Sequence, residues 1–127
     1  MGHPTTPSQS HFITLAKAIE LTTRFRSKKE LILKTEYQSQ GILFSSETFN
    51  RAAIESLLNQ PGCVSVRHYL GMDEDLKVRL VMVGVDSEGN DILPSVQNNN
   101  AQGTVGDIVE DGQRCPDICP PDGPLNS

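Results

Sequence analysis

Two cysteines near the end of the chain have the spacing that most suggests chemistry. Cys115 and Cys119 are four positions apart in a proline-rich segment, and Cys63 is the third cysteine of this 127-residue chain. Two thiolates at this spacing can bind one metal ion, and Cys63 with a histidine would complete a tetrahedral zinc site. The C-x3-C pattern is a weak zinc signal, because the other ligands would have to come from distant parts of the chain.

Two other states of these cysteines remain open at this point. Cys115 and Cys119 could form a local disulfide under oxidising conditions, or they could stay free thiols in a proline-rich recognition tail. An odd number of cysteines fits a reducing compartment better than a disulfide framework. We therefore favour free thiols and expect a cytoplasmic protein.

His68 is the one histidine within residues 12–93, and it lies among apolar positions with Arg67 and Tyr69 on the opposite face. A catalytic base needs a partner and a nucleophile at a suitable position, and the spacing identifies neither. The sequence also lacks a nucleophile elbow, a P-loop and a dinucleotide fingerprint. We expect His68 to be structural and predict no catalytic residues, so a small enzyme using these three side chains is the least favoured class.

Three charged segments could bind ions, and each has a simpler interpretation. The basic cluster within residues 24–29 is flanked by Glu20, Glu30 and Glu36, which favours a solvated helix face or an inter-helix corner over an anion site. The acidic segment 73–75 lacks the spaced oxygen ligands of a calcium loop. In 86–91 the oxygen ligands do alternate, but Gly89 is misplaced and Gln97 stands where a calcium loop requires Glu. We interpret both acidic segments as turns.

Residues 64–86 read as a β-hairpin, which is the strongest fold signal in the chain. Its first arm alternates apolar and polar residues, and such alternation places the apolar set on one face of a sheet. From residue 80 onward both faces of the second arm are apolar, which predicts a strand covered on two sides. A three-residue loop at 73–75 keeps the apolar residues of the two arms on one face. A short third strand is predicted at 91–93, where Pro94 ends it.

Three segments have helical spacing. Thr14 is the predicted N-cap of a helix over residues 14–25, and residues 27–30 match the S-x-x-E capping box of a second helix. Whether these are one bent helix or two consecutive helices stays open. A further helix is predicted from residue 46 or 47 to residue 59, where Gln60-Pro61-Gly62 ends it.

These elements predict an α+β fold, with two or three N-terminal helices packed on a small antiparallel β-meander and an irregular C-terminal tail. We expect a disordered leader over residues 1–11, a single domain over 12–93, and an acidic tail rich in proline, glycine and asparagine over 94–127. Within this tail, residues 105–109 are apolar enough to add an edge strand to the sheet.

Charge and hydropathy exclude several classes of partner. Residues 1–93 carry ten Lys/Arg and eleven Asp/Glu, whereas residues 94–127 carry one Arg and five acids. The acidity is therefore concentrated in the tail, and neither part has the basic excess that nucleic-acid binding needs. We find no stretch of about 20 apolar residues and no signal peptide, so we expect no membrane partner.

The chain resembles a group of small bacterial proteins with a hairpin of the form LGMD…VGVD and a tail of the form GQRCPxxCPP. Here these motifs are Leu70-Gly71-Met72-Asp73, Val83-Gly84-Val85-Asp86 and the segment from Gly112 to Pro121. The similarity extends over nearly the whole chain from Ile13. No activity is established for that group, so the resemblance implies a bacterial origin, one domain and a tail, but no site residue.

We therefore expect a non-enzymatic protein-interaction module that self-associates as a homo-oligomer, with a further protein partner that the tail could recruit. The alternative is a metal-binding or redox-responsive protein that uses Cys115 and Cys119, with Cys63. The interaction module is favoured because the predicted core is small and the short third strand leaves sheet edges open.

Overall fold

The computed structural model describes residues 11–94, 108–115 and 117–126. Most of the predicted leader, residues 1–10, lies outside the described residues, and so does the 95–107 part of the tail. The described chain contains helices α1 (Leu15–Lys28) and α2 (Arg51–Leu58), a 3-10 helix at Thr35–Tyr37, and antiparallel strands. The predicted α+β class is confirmed.

The first helix begins where the sequence predicts, but the second predicted helix does not form. The Thr14 side chain accepts a hydrogen bond from the Lys17 N–H at 3.1 Å and caps α1. In the capping box that follows, the Ser27 hydroxyl donates to the Arg24 carbonyl at 3.1 Å, and the Glu30 carboxylate accepts from the Ser39 N–H at 2.7 Å. Both side chains are therefore engaged elsewhere, and the prediction of a helix after residue 30 was wrong.

The predicted start of the last helix, at residue 46 or 47, was also wrong. Ser46–Thr48 is strand β1, and α2 begins five residues later than Ser46. The N-cap is Asn50, whose side-chain oxygen accepts a hydrogen bond from the Ala53 N–H at 2.9 Å. Asparagine caps a helix as well as serine does, so the sequence alone could not choose between the two starts.

The main sheet has the strands β2 (Ser65–Met72), β3 (Val78–Val85), β4 (Asp91–Ile92) and β5 (Ile108–Val109). Their order is β2-β3-β4, and β5 also pairs with β3, so β3 is the central strand and β2 is an edge. Gly84 pairs with Ile92 of β4, and Met82 pairs with Val109 of β5. Thus part of the 105–109 segment adds a strand to the sheet. All residues from Met82 to Val85 are buried, as predicted for a strand covered on both faces.

The hairpin turn lies one residue later than predicted. The Asp73 N–H donates to the Lys77 carbonyl at 3.0 Å, so the three-residue loop is 74–76 instead of 73–75. Leu76 has a φ of 67°, as the last residue of a type I turn with a bulge requires. The shift moves the register by two positions, which leaves the same side chains on the apolar face.

The described residues form two compact units. The first unit comprises residues 49–71, 79–94 and 108–112, and its core contains Leu57 of α2 with Met82, Val83 and Val85 of β3. The second comprises residues 11–48, 72–78, 113–115 and 117–126, with Ile42 buried. In this second unit β1 pairs with β6 (Gln113–Cys115) in a separate two-stranded sheet. No helix in the described parts of the chain is long and apolar enough to cross a membrane.

Candidate functional site

The cysteine pair of the tail is oxidised in the structure. Cys115 and Cys119 form a disulfide, with their Cα atoms 4.4 Å apart. Sulfurs in a disulfide are not thiolates and cannot bind zinc in the way that we predicted. The free-thiol state that we favoured is also not the state observed, because the proximity of the two cysteines in the folded tail allows the bond to form. The zinc site stays a prediction for the reduced chain.

Cys63, the third predicted zinc ligand, is a half-buried free thiol after α2. Its sulfur is 3.3 Å from the Ser65 carbonyl oxygen, to which the thiol donates. Among the described residues, no group of three or more His, Cys, Asp or Glu side chains could hold a metal ion. The Cys63 sulfur lies next to β3, 3.0 Å from the position that a Cβ on Gly84 would occupy.

Two polar residues of β2 contact Asp91, an acid that no sequence motif indicates as functional. Arg67 and Tyr69 both hydrogen-bond to the Asp91 carboxylate, and a second Arg67 nitrogen donates to the Gly89 carbonyl at 3.3 Å. Hydrogen bonding with Tyr69, followed by that with Asp91, raises the pKa of the Arg67 guanidinium. Asp91 is the first residue of β4, so this cluster connects the turn at 86–91 to the edge strand β2. His68 is exposed, and it is not part of the cluster.

A second ion-pair cluster joins β3 to the segment after β5. Arg79 bonds to the Glu110 carboxylate and to Asp111, whose carboxylate lies 2.9 Å from the guanidinium. Burial lowers the pKa of Arg79, but the hydrogen bonds and charges of Glu110 and Asp111 outweigh this effect and raise it overall. Both clusters pair opposite charges, which is typical of structural ion-pair networks.

The other charged segments are structural in the way that the sequence predicted. In the basic cluster, Arg24 pairs with Glu20 at 2.9 Å and Lys29 donates to the Leu43 carbonyl at 2.8 Å. In the acidic turns, the Asp73 and Asp86 carboxylates accept backbone N–H groups of the residues that follow them. These backbone hydrogen bonds, led by that from Asn90, lower the pKa of Asp86.

One pocket in the second unit has charged walls. Gly41, Phe44, Lys77, Arg114 and Asp117 line a small, open pocket. No sequence motif indicates this pocket, because its residues are far apart in the chain. The disulfide ring holds Asp117 next to Arg114, since the Ile118 N–H donates to the Arg114 carbonyl at 2.8 Å.

The edge strand β2 presents an apolar surface to solvent. Leu70 is 77% exposed and Met72 is 60% exposed, although both belong to the face that the sequence predicts to be apolar. β3 is the neighbour of β2 in the sheet order, and no other described strand pairs with the outer edge of β2. An eight-residue edge with exposed apolar side chains and no proline or lysine is a template for strand pairing.

Comparison with family models, with curated proteins and with solved structures found no match. The assignment of a function therefore depends on the geometry of this chain alone.

Proposed function

We propose that this protein is a non-enzymatic interaction module that self-associates through the open edge of β2. The observation that supports the proposal is the exposure of Leu70 and Met72 on a strand that is paired along one side. A protein that functions as a monomer normally protects such an edge with lysine, proline or a covering segment. A second copy of the same strand is the simplest cover, because an antiparallel pairing of identical strands is self-complementary.

The direction of the backbone groups allows such a pairing. Since the Asp73 N–H points toward β3, the alternation of an antiparallel ladder directs the N–H and C=O groups of Leu70 and Met72 outward. A twofold axis at Leu70 then places Arg67 of one copy opposite Asp73 of the other. On one face of the paired strands, Arg67 of each copy thus meets Asp73 of the other copy. On the other face, the apolar side chains of the two copies meet.

Helix α1 is a less suitable self-association surface. None of its fourteen residues is buried, and Leu21 and Phe25 are exposed. However, Lys17 lies one turn before Leu21, and Lys28 lies one turn after Phe25. Two copies that met at this surface would bring like charges together, which opposes association.

The expected affinity follows from the number of hydrogen bonds. Pairing about Leu70 forms about six inter-strand hydrogen bonds, each worth roughly 0.5–1.5 kcal/mol net. Burial of the exposed Leu70 and Met72 side chains adds roughly 1.5–3 kcal/mol for each side chain that is fully covered. These gains must exceed an association cost of about 4–15 kcal/mol. The gains on the two copies are of the same order as this cost, so we expect a weak dimer that forms below about 1 mM.

Sedimentation equilibrium of Leu70→Lys tests the proposal. A lysine on each copy at the twofold axis places two like charges in contact, so the variant is expected to be monomeric at concentrations where the wild type is a dimer. Leu31→Lys is the matched control, because Leu31 is 68% exposed and lies in a turn outside the sheet. A wild-type monomer at about 1 mM, or equal dissociation constants for the two variants, would overturn the proposal.

A redox-responsive tail is the second candidate, and the Cys115–Cys119 disulfide favours it. Cys119 is exposed, so a dithiol can attack it, while Cys115 lies in β6 and its carbonyl accepts the Ser45 N–H at 3.0 Å. Reduction would then loosen the tail at its attachment to β1. A Cys115→Ser/Cys119→Ser variant with the proteolysis pattern of the oxidised wild type would remove this candidate.

A further inference from the structure

The charged pocket of the second unit combines groups of both signs that do not neutralise one another. Lys77, Arg114 and Asp117 all line it. Within the described part of the chain no ion pair joins these three side chains, and the Arg114 guanidinium makes a single long hydrogen bond, to the Val78 carbonyl at 3.4 Å. The pocket therefore has two cationic groups and one carboxylate available to a ligand.

The backbone of each charged residue is held by a different contact. Lys77 follows the hairpin turn, where its N–H donates to the Asp73 carboxylate at 3.0 Å. Arg114 pairs with Glu47 in the β1–β6 ladder. Asp117 lies inside the disulfide ring. Three separate backbone attachments therefore converge on one pocket.

We propose that this pocket binds a small zwitterion that carries a carboxylate and an ammonium group on one carbon atom, as an α-amino acid does. The carboxylate would interact with Lys77 and Arg114, because a guanidinium and an ammonium group are the side chains that bind carboxylates best. The ammonium group would interact with Asp117. Phe44 and Gly41 form the uncharged wall of the pocket. This inference is independent of self-association, since the pocket contains no residue of the β2 edge.

The charge balance separates a zwitterion from a simple anion or cation. A ligand with only a carboxylate would be attracted by Lys77 and Arg114 but repelled by Asp117. A ligand with only an ammonium group would be attracted by Asp117 but repelled by Lys77 and Arg114. A ligand with both groups satisfies all three side chains. Because the pocket is open and small, its binding is expected in the millimolar range.

Amide chemical shifts of the full oxidised chain test this inference. We expect titration with glycine to shift the amides of Gly41, Phe44 and Lys77 saturably. Acetate and methylamine, which each carry one of the two charges, should bind at least about threefold more weakly. Equal binding of acetate and glycine, or no saturable shift with glycine, would refute the zwitterion site.

Two variants test whether Asp117 contacts the ligand. Asp117→Asn should weaken glycine binding about threefold and strengthen acetate binding, because it removes the ammonium partner and the repulsion at once. Asp122→Asn is the matched control, since Asp122 is an exposed acid of the same tail outside the pocket lining. If both variants bind glycine and acetate as the wild type does, Asp117 does not contact the ligand and the proposal is wrong.

Discussion

A methyl group at Gly84 has no room in the first unit. An added Cβ would lie 2.8 Å from the Gln60 side-chain nitrogen, 3.0 Å from the Cys63 sulfur and 3.4 Å from the Leu57 carbonyl oxygen. Gln60 is 7% exposed, and its side-chain amide donates to that same carbonyl at 3.1 Å. The Gly84→Ala variant must therefore displace a buried, hydrogen-bonded amide at the contact between α2 and the sheet.

Two costs and one gain determine the expected magnitude. Overpacking in a tight core costs roughly 1–3 kcal/mol, and the weakened buried hydrogen bond costs roughly 1–3 kcal/mol more. Alanine also lowers the conformational entropy of the unfolded chain, which stabilises the folded state by about 0.4–1 kcal/mol. We expect Gly84→Ala to lower the free energy of unfolding by about 2–3 kcal/mol, which corresponds to a fall in Tm of roughly 10–20 °C for a domain of this size.

Gly71→Ala is the matched control in the neighbouring strand. There an added Cβ would lie 3.6 Å from a Val81 methyl carbon and 3.7 Å from the Arg79 carbonyl oxygen, which are ordinary contacts. We expect this variant to be as stable as the wild type or more stable by up to about 1 kcal/mol. Urea denaturation followed by circular dichroism measures both variants at protein concentrations where the wild type is a monomer, which keeps association out of the comparison.

A double-mutant cycle identifies which neighbouring group leaves no space for the added methyl group. If the Gln60 amide opposes the methyl group, then Gln60→Ala combined with Gly84→Ala should cost at least about 1 kcal/mol less than the sum of the two single variants. Equal stability of Gly84→Ala and Gly71→Ala would refute the packing argument. Strict additivity in the cycle would show that Cys63 or the Leu57 carbonyl, and not Gln60, limits the space.

Two further predictions concern the turns. Leu76→Gly should raise the free energy of unfolding by about 0.5–1 kcal/mol, because Leu76 has a φ of 67° and glycine adopts that region without steric cost; a lower denaturation midpoint would contradict this. The Asp86 carboxyl should titrate below its ordinary pKa of 3.8 in a carbon-detected NMR experiment. Since the folded state has the lower pKa, the stabilisation by Asp86 is present above pH 3.8 and disappears as the pH falls through that lowered value, and Asp86→Asn should remove this dependence.

Much of the fold could be predicted because it depends on neighbouring residues. The Thr14 cap, the double-sided burial of Met82 to Val85 and the α+β class follow from local capping chemistry and from hydrophobic period. The helix predicted after Ser27 failed for a non-local reason, since Glu30 instead bonds to the distant Ser39. The capping box is a permissive signal, and tertiary contacts can outweigh it.

The candidate site was less predictable than the fold. The sequence indicated Cys115 and Cys119 as chemically important, but it left a metal, a disulfide and free thiols open, and the structure shows the disulfide. Nothing local indicated that Asp91 would bind Arg67 and Tyr69, because the pairing depends on the register of three strands.

The sequence by itself determined the class of fold, the hairpin with its apolar face, and the concentration of acidic charge in the tail. These features depend on composition and on spacing within one element, where each residue acts through its near neighbours. The tertiary structure alone decided that Ser46–Thr48 is a strand, that β2 lies at the edge of the described strands, and that Lys77, Arg114 and Asp117 share a pocket. Each of these outcomes joins residues far apart in the chain, and such contacts form only when the whole fold offsets the entropy of closing the intervening loops.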